Sequence, residues 1–132
     1  RAVGVTVAVI GLLHGERLGV PGYSVQLLTQ HGEPVTATFR HTTFDAVVDN
    51  NLVSFACCQR HFERYFEALA GLLADDGVLV THWNGMQWVL DVGVDDVEPA
   101  WRLDAGKLET IASAFGLAVL REGDLFFLRR IR

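Results

Sequence analysis

The stretch from Thr43 to Trp83 limits what this chain can fold into more than any other. Phe44-Asp45-Ala46-Val47-Val48-Asp49 is a short, mostly apolar run of strand length, of the kind buried on both faces of a sheet. From about Gln59 to Ala74 the apolar residues Phe62, Tyr65, Phe66, Leu69, Leu72 and Leu73 recur at spacings of three and four. Arg60, Glu63, Arg64 and Glu67 fall mostly off that stripe, which predicts an amphipathic helix laid on a sheet. Asp75-Asp76-Gly77 supplies a turn, and Val78 to Trp83 supplies a second apolar strand. Two strands joined through a helix can lie parallel, whereas a tight hairpin cannot join them that way.

The flanking segments extend this unit. Val3 to Ile10 is dense in β-branched residues and predicts a buried strand ending at Gly11. Leu12 to Leu18 fits a short helix stopped by Gly19 and Pro21-Gly22, and Tyr23 to Thr29 fits a second strand. His31-Gly32-Glu33-Pro34 reads as a turn, and the alternation from Val35 to Arg40 as an exposed strand or extended connection. Met86 to Val92 fits a helical turn or an extended piece equally well, and Gly93 to Arg102 is an acidic loop that could act as a flap.

Asp104 is a good N-cap for a helix whose stripe is Leu108, Ile111, Ala112 and Phe115, ending at Gly116. Leu117 to Arg121 and Leu125 to Arg130 form a hairpin around Glu122-Gly123-Asp124. The predicted fold is α/β: one domain over residues 1–132 with a mostly parallel, Rossmann-like sheet and a C-terminal antiparallel hairpin.

Composition narrows the function. A formal net charge of -5 argues against general nucleic-acid affinity. No run approaches the roughly 20 apolar residues of a membrane span, and no secretory signal is visible, so a cytoplasmic location is expected. Cys57 and Cys58 are adjacent, which strains a mutual disulfide, and they are expected as reduced thiols. His14, His31, His41, His61 and His82 show no ligand spacing, so no metal is expected. The chain opens on Arg1 within an apolar run, as a fragment or trimmed product would.

FDAVVDN, HFERYFEALAGLLADDG, GVLVTHW, LETIASAFGLAVL and DLFFLRR, in that order, resemble the second two-thirds of a class I S-adenosylmethionine-dependent methyltransferase domain, over about Phe44 to Arg130. The resemblance implies S-adenosylmethionine as cofactor and methyl transfer to a small-molecule acceptor. GERLGVPGYSVQLLTQHGEPVTATFRHTTFDAVVDNN is also similar to spermidine synthase-like aminopropyltransferases, where an aspartate at the position of Asp49 acts as base toward the attacking amine. That branch's run of Asp, Ser and Pro is replaced here by Asn50-Asn51-Leu52.

The family's glycine-rich turn of the GxGxG kind has no match, and the strand that should end in a ribose-binding acid ends Val9-Ile10-Gly11, with no acid until Glu16. Either the turn lies upstream of Arg1, or the domain is a cofactor-free binding or dimerisation module.

Ligands of open α/β sheets sit outside the carboxyl ends of the strands. The residues there are Gly11, Leu12 and His14; Asp49, Asn50 and Asn51; and His82, Trp83 and Asn84. The resemblance and this placement together assign Asp49 and His82 to catalysis, Gly11, Leu12 and Asn50 to the cofactor, and Asn51, Trp83 and Asn84 to the substrate. The plainer alternatives are a turn capped by Asp49-Asn50-Asn51, a strand-end histidine at His82 and a core Trp83. Trp88 and Trp101 flank the acidic loop and suit a lid or a subunit contact. Arg121, Arg129, Arg130 and Arg132 suit a solvated edge on the final hairpin. The first strand would need a covering partner chain, such as a second copy in a dimer, or a different strand order.

Overall fold

A computed structural model describes residues 2–7, 23–28, 32–49, 52, 59–87 and 103–132. Their elements, in chain order, are β1 (Ala2–Val7), β2 (Tyr23–Leu28), α1 (Gly32–Thr38), β3 (Phe44–Val48), α2 (Gln59–Gly71), β4 (Leu73–His82), α3 (Trp83–Gln87), α4 (Ala105–Ala114), β5 (Leu117–Glu122) and β6 (Leu125–Arg130). β1 and β2 form a parallel pair, with Ala2 opposite Tyr23 and Val7 opposite Leu28. The first strand thus has a partner within the chain. The second sheet has the order β3-β4-β6-β5. β3 and β4 run parallel, while β6 lies antiparallel to both β4 and β5. The architecture is a mixed α/β fold, with the two kinds of pairing equally represented among the described strands.

One face of the four-stranded sheet carries the core. Leu79 and Thr81 of β4 and Phe126 and Leu128 of β6 are buried, and each pair is separated by the period of two that a strand imposes. α2 and α4 meet over this face, with the rings of Phe66 and Phe115 5.7 Å apart. Phe66 and Leu108 are fully buried, each stabilising the fold by about 1.5–3 kcal/mol relative to exposure. The N-cap of α4 forms as predicted: the Lys107 N–H donates to Asp104 Oδ1 at 2.8 Å. At the far end Gly116 takes φ 70°, the left-handed conformation that ends many helices. The end of α2 and the start of β4 are met from the sheet, where Arg130 Nη2 donates to the oxygens of Ala70 and Leu73 at 3.1 Å each.

Four segments differ from the sequence expectation. His31 to Pro34 and Val35 to Arg40 were expected as a turn and an extended piece, but Gly32–Thr38 is helix α1. Pro34 fits its first turn, where no N–H is needed. Val35 and Phe39 are both buried, and a spacing of four puts two residues on one side of a strand and of a helix alike. β4 begins at Leu73 rather than Val78. Its pairing jumps from Phe44↔Leu73 to Ala46↔Val78, two residues along β3 against five along β4, so Asp75-Asp76-Gly77 bulges out of the ladder.

β3 is less covered than predicted: Val48 is 68% exposed, and Asp45 and Ala46 are exposed too. It lies at the end of the four-strand order, where one side has no described neighbour. Finally, Glu122 pairs with Leu125, so the hairpin connection is two residues, Gly123-Asp124, with Gly123 at φ 61°. The predicted helix over Leu12 to Leu18 and the acidic loop with Trp88 and Trp101 lie outside the described residues.

Candidate functional site

The candidate site lies at the carboxyl ends of β3 and β4. The ladder continues one residue past β3, because the Asp49 N–H donates to the Val80 oxygen at 3.0 Å. Val48 is opposite Val80, so Asp49 falls beside Thr81. Asp49 is half-buried, and the Tyr65 hydroxyl of α2 donates to its Oδ2 at 2.7 Å. Tyr65 belongs to the apolar stripe of α2, which brings its ring onto the buried face and its hydroxyl to the strand end. Burial first, then the negative charge of Asp49 and the hydrogen bond to it, push the Tyr65 hydroxyl far above its ordinary value of 10.0. At neutral pH it is a fixed donor that holds the carboxylate in one orientation.

His82 is the next residue after Thr81, and alternate strand residues point to opposite faces. Asp49 and His82 therefore sit on neighbouring strand ends but on opposite sides of the sheet, and the structure does not bring them together. The ring of His82 is also committed, since its Nδ1 accepts the Asn84 N–H at 3.1 Å. That bond engages one of the two ring nitrogens, and Nε2 takes no part in it. Asn84 itself is exposed.

Trp83 is anchored by its N–H to the Asp124 oxygen at 2.8 Å and stacks on Phe126, centroids 6.3 Å apart and 29° between planes. The guanidinium of Arg121 lies 5.5 Å from the Trp83 ring and 5.1 Å from that of Phe126. It is fixed by Nε donating to the Gly123 oxygen at 2.8 Å. Trp83 is therefore part of a cation–aromatic cluster, each contact worth about 0.5–1 kcal/mol at an exposed site. The plainer reading of Trp83 as a packing residue accounts for this side of its ring.

Gly11, Leu12, Asn50 and Asn51 lie outside the described residues. No group of three or more metal-ligating side chains occurs among the described residues, and no described helix is long and apolar enough to cross a membrane. Sequence reasoning missed two residues. Tyr65 was counted only as part of the stripe, although a hydroxyl within an otherwise apolar stripe needs a partner and so signals one. Arg121 was assigned to a solvated edge, although its hairpin register places it directly opposite Phe126.

The fold is similar to that of several solved methyltransferase structures. The MycE methyltransferase from the mycinamycin biosynthetic pathway, in complex with Mg and SAH, superposes with a TM-score of 0.67 over 98% of this chain and 36% of its own, at 15% identity. Magnesium protoporphyrin IX methyltransferase (ChlM) from Synechocystis, with bound SAM, gives 0.53 over 89% of this chain and 51% of its own, at 12% identity. An O-methyltransferase family protein from Burkholderia thailandensis gives 0.53 over 80% and 36%, at 18% identity. The chain spans between about a third and about half of the length of these structures. No family model matches it, and no curated protein matches it in sequence.

Proposed function

We propose that this chain is part of an S-adenosylmethionine-dependent transferase that moves a methyl group to a small-molecule acceptor. The observation that carries the proposal is the half-buried Asp49 carboxylate at the carboxyl end of β3, oriented by Tyr65, in a fold shared with methyltransferases of which one has SAM and another SAH bound. S-adenosylmethionine, when bound, supplies an electrophilic methyl group. The contribution asked of this chain is to orient the acceptor in line and to take its proton, and Asp49 is the residue suited to that role.

His82 suits a hydrogen-bond donor to the acceptor, because its Nδ1 is already engaged by Asn84. Gly11, Leu12 and Asn50 remain the assigned cofactor contacts, and Asn51, Trp83 and Asn84 the assigned acceptor contacts. The sequence contains no GxGxG turn. A second reading is a cofactor-free binding or dimerisation domain with the same fold; a glycine-rich turn upstream of Arg1 would instead belong to the transferase reading.

Calorimetric titration with S-adenosylmethionine, S-adenosylhomocysteine and decarboxylated S-adenosylmethionine separates these readings. Micromolar binding of the first two supports methyl transfer. Preference for the decarboxylated donor moves the assignment to the aminopropyltransferase branch. No heat with any of the three sinks the transferase proposal.

A further inference from the structure

The candidate site occupies the carboxyl ends of the strands, whereas at the opposite end two arginines line a separate groove. A groove of about 810 Å³ opens there between α1, the turn that follows it and the outer side of α2. Its volume falls in the usual range of about 300–1,000 Å³ for small-molecule sites. Arg40, His41 and Thr42 line it from the turn, Arg64 and Glu67 from α2, and Phe39 gives it an apolar floor. β3 separates the two ends by five residues, about 16 Å at roughly 3.3 Å per residue, so one small ligand does not reach both.

Three observations set the groove apart from an ordinary solvated surface. The protein as a whole is acidic, with 16 Asp and Glu against 11 Lys and Arg. Here two arginines and a histidine face a single carboxylate. Neither Arg40 nor Arg64 has an ion pair among the described residues, and Arg64 stands three residues from Glu67 without pairing to it. His41 is the only non-glycine described residue in the left-handed region, at φ 65°. That conformation costs roughly 1–2 kcal/mol for an L-residue, and such strain persists where the surroundings impose it. The C-terminal carbonyls of α2, whose partial negative charge opposes an anion, are partly covered by Arg130 donating to the Ala70 oxygen.

We infer that this groove is a second binding site, for a small organic anion with a phosphate or carboxylate head and an apolar body. Arg40 and Arg64 grip the head through charge-assisted hydrogen bonds, Thr42 adds a hydroxyl donor, and the body rests on Phe39. Glu67 limits the charge the site accepts. The site is independent of S-adenosylmethionine and stands whether or not the chain is a transferase.

The test is titration of the whole chain with phenyl phosphate and, separately, with phthalate, followed by backbone amide shifts. The two probes distinguish a phosphate head from a carboxylate head. The expected result is saturable binding of at least one probe, with shifts concentrated at Arg40, His41, Thr42 and Arg64. Arg40→Gln and Arg64→Gln should each weaken it about tenfold, the loss of one charge-assisted contact. Glu67→Gln should tighten it severalfold, which keeps the inference testable if either arginine variant folds poorly. Binding of S-adenosylhomocysteine, if present, should not change in any of these variants. Absence of binding by both probes up to about 10 mM, or an affinity indifferent to all three substitutions, overturns the inference.

Discussion

Replacing Tyr65 by Phe isolates the contact that orients Asp49. Phenylalanine keeps the ring, which is buried in the core, and removes only the hydroxyl that donates to Asp49 Oδ2 at 2.7 Å. A hydrogen bond to a charged acceptor contributes about 1.5–3 kcal/mol, and half-burial of Asp49 lets water replace part of it, so a loss of about 1.5 kcal/mol is expected at pH 7. The dependence on pH is more specific. The folded-state hydroxyl titrates well above the unfolded value of 10.0, so its stabilising contribution is whole below pH 10 and declines as pH rises beyond it. One unit above that value, at pH 11, a single such tyrosine costs the wild type about 1.4 kcal/mol, and the variant is spared this cost. Urea unfolding of both proteins at pH 8, 10 and 11 should therefore show the stability gap closing between pH 10 and pH 11. A gap that stays constant across the series would refute the picture of Tyr65 as a buried, protonated donor.

Thr81 has a fully buried hydroxyl oxygen with no hydrogen-bond partner among the described residues. Thr81→Val should raise stability by about 1 kcal/mol, since an unsatisfied buried polar group costs about 1–3, and thermal melting should show a midpoint several degrees higher. Gly77→Ala should destabilise by about 1–3 kcal/mol, because a Cβ there would lie 2.7 Å from the Phe44 oxygen and 2.9 Å from the Ala74 nitrogen, both backbone atoms; chemical denaturation measures the loss. Arg130→Gln removes the donor to the Ala70 and Leu73 carbonyls and should cost about 1–2 kcal/mol, with faster amide exchange confined to the end of α2.

The strand, helix, strand unit was legible because its periodicities are long and unmixed: α2 carries its stripe for thirteen residues, and Asp104 signals its helix by chemistry that strands do not use. α1 was illegible because Val35 and Phe39 satisfy both periods, and seven residues do not break the tie. Gly77 was identified as a turn glycine, but what excludes a side chain there is the close approach of Phe44 and Ala74. The position of Asp49 at a strand end could be read from where the apolar run stops. Its relation to His82 could not, because a one-residue difference in register decides which face each side chain takes. Tyr65 reaching Asp49 across sixteen residues is a tertiary fact that α2's own pattern does not contain.

The order β3-β4-β6-β5 has a consequence in time. β6 follows β5 in the chain yet lies between β5 and β4. While the ribosome is still making Leu125 to Arg130, both β4 and β5 exist without the neighbour that joins them, and Leu79 and Leu117 have no finished sheet to be buried in. A nascent chain halted after Glu122 would hold the two edges apart, open to pairing with other chains. Closure of the sheet awaits the last strand described, and the growing chain is most vulnerable to association just before it emerges.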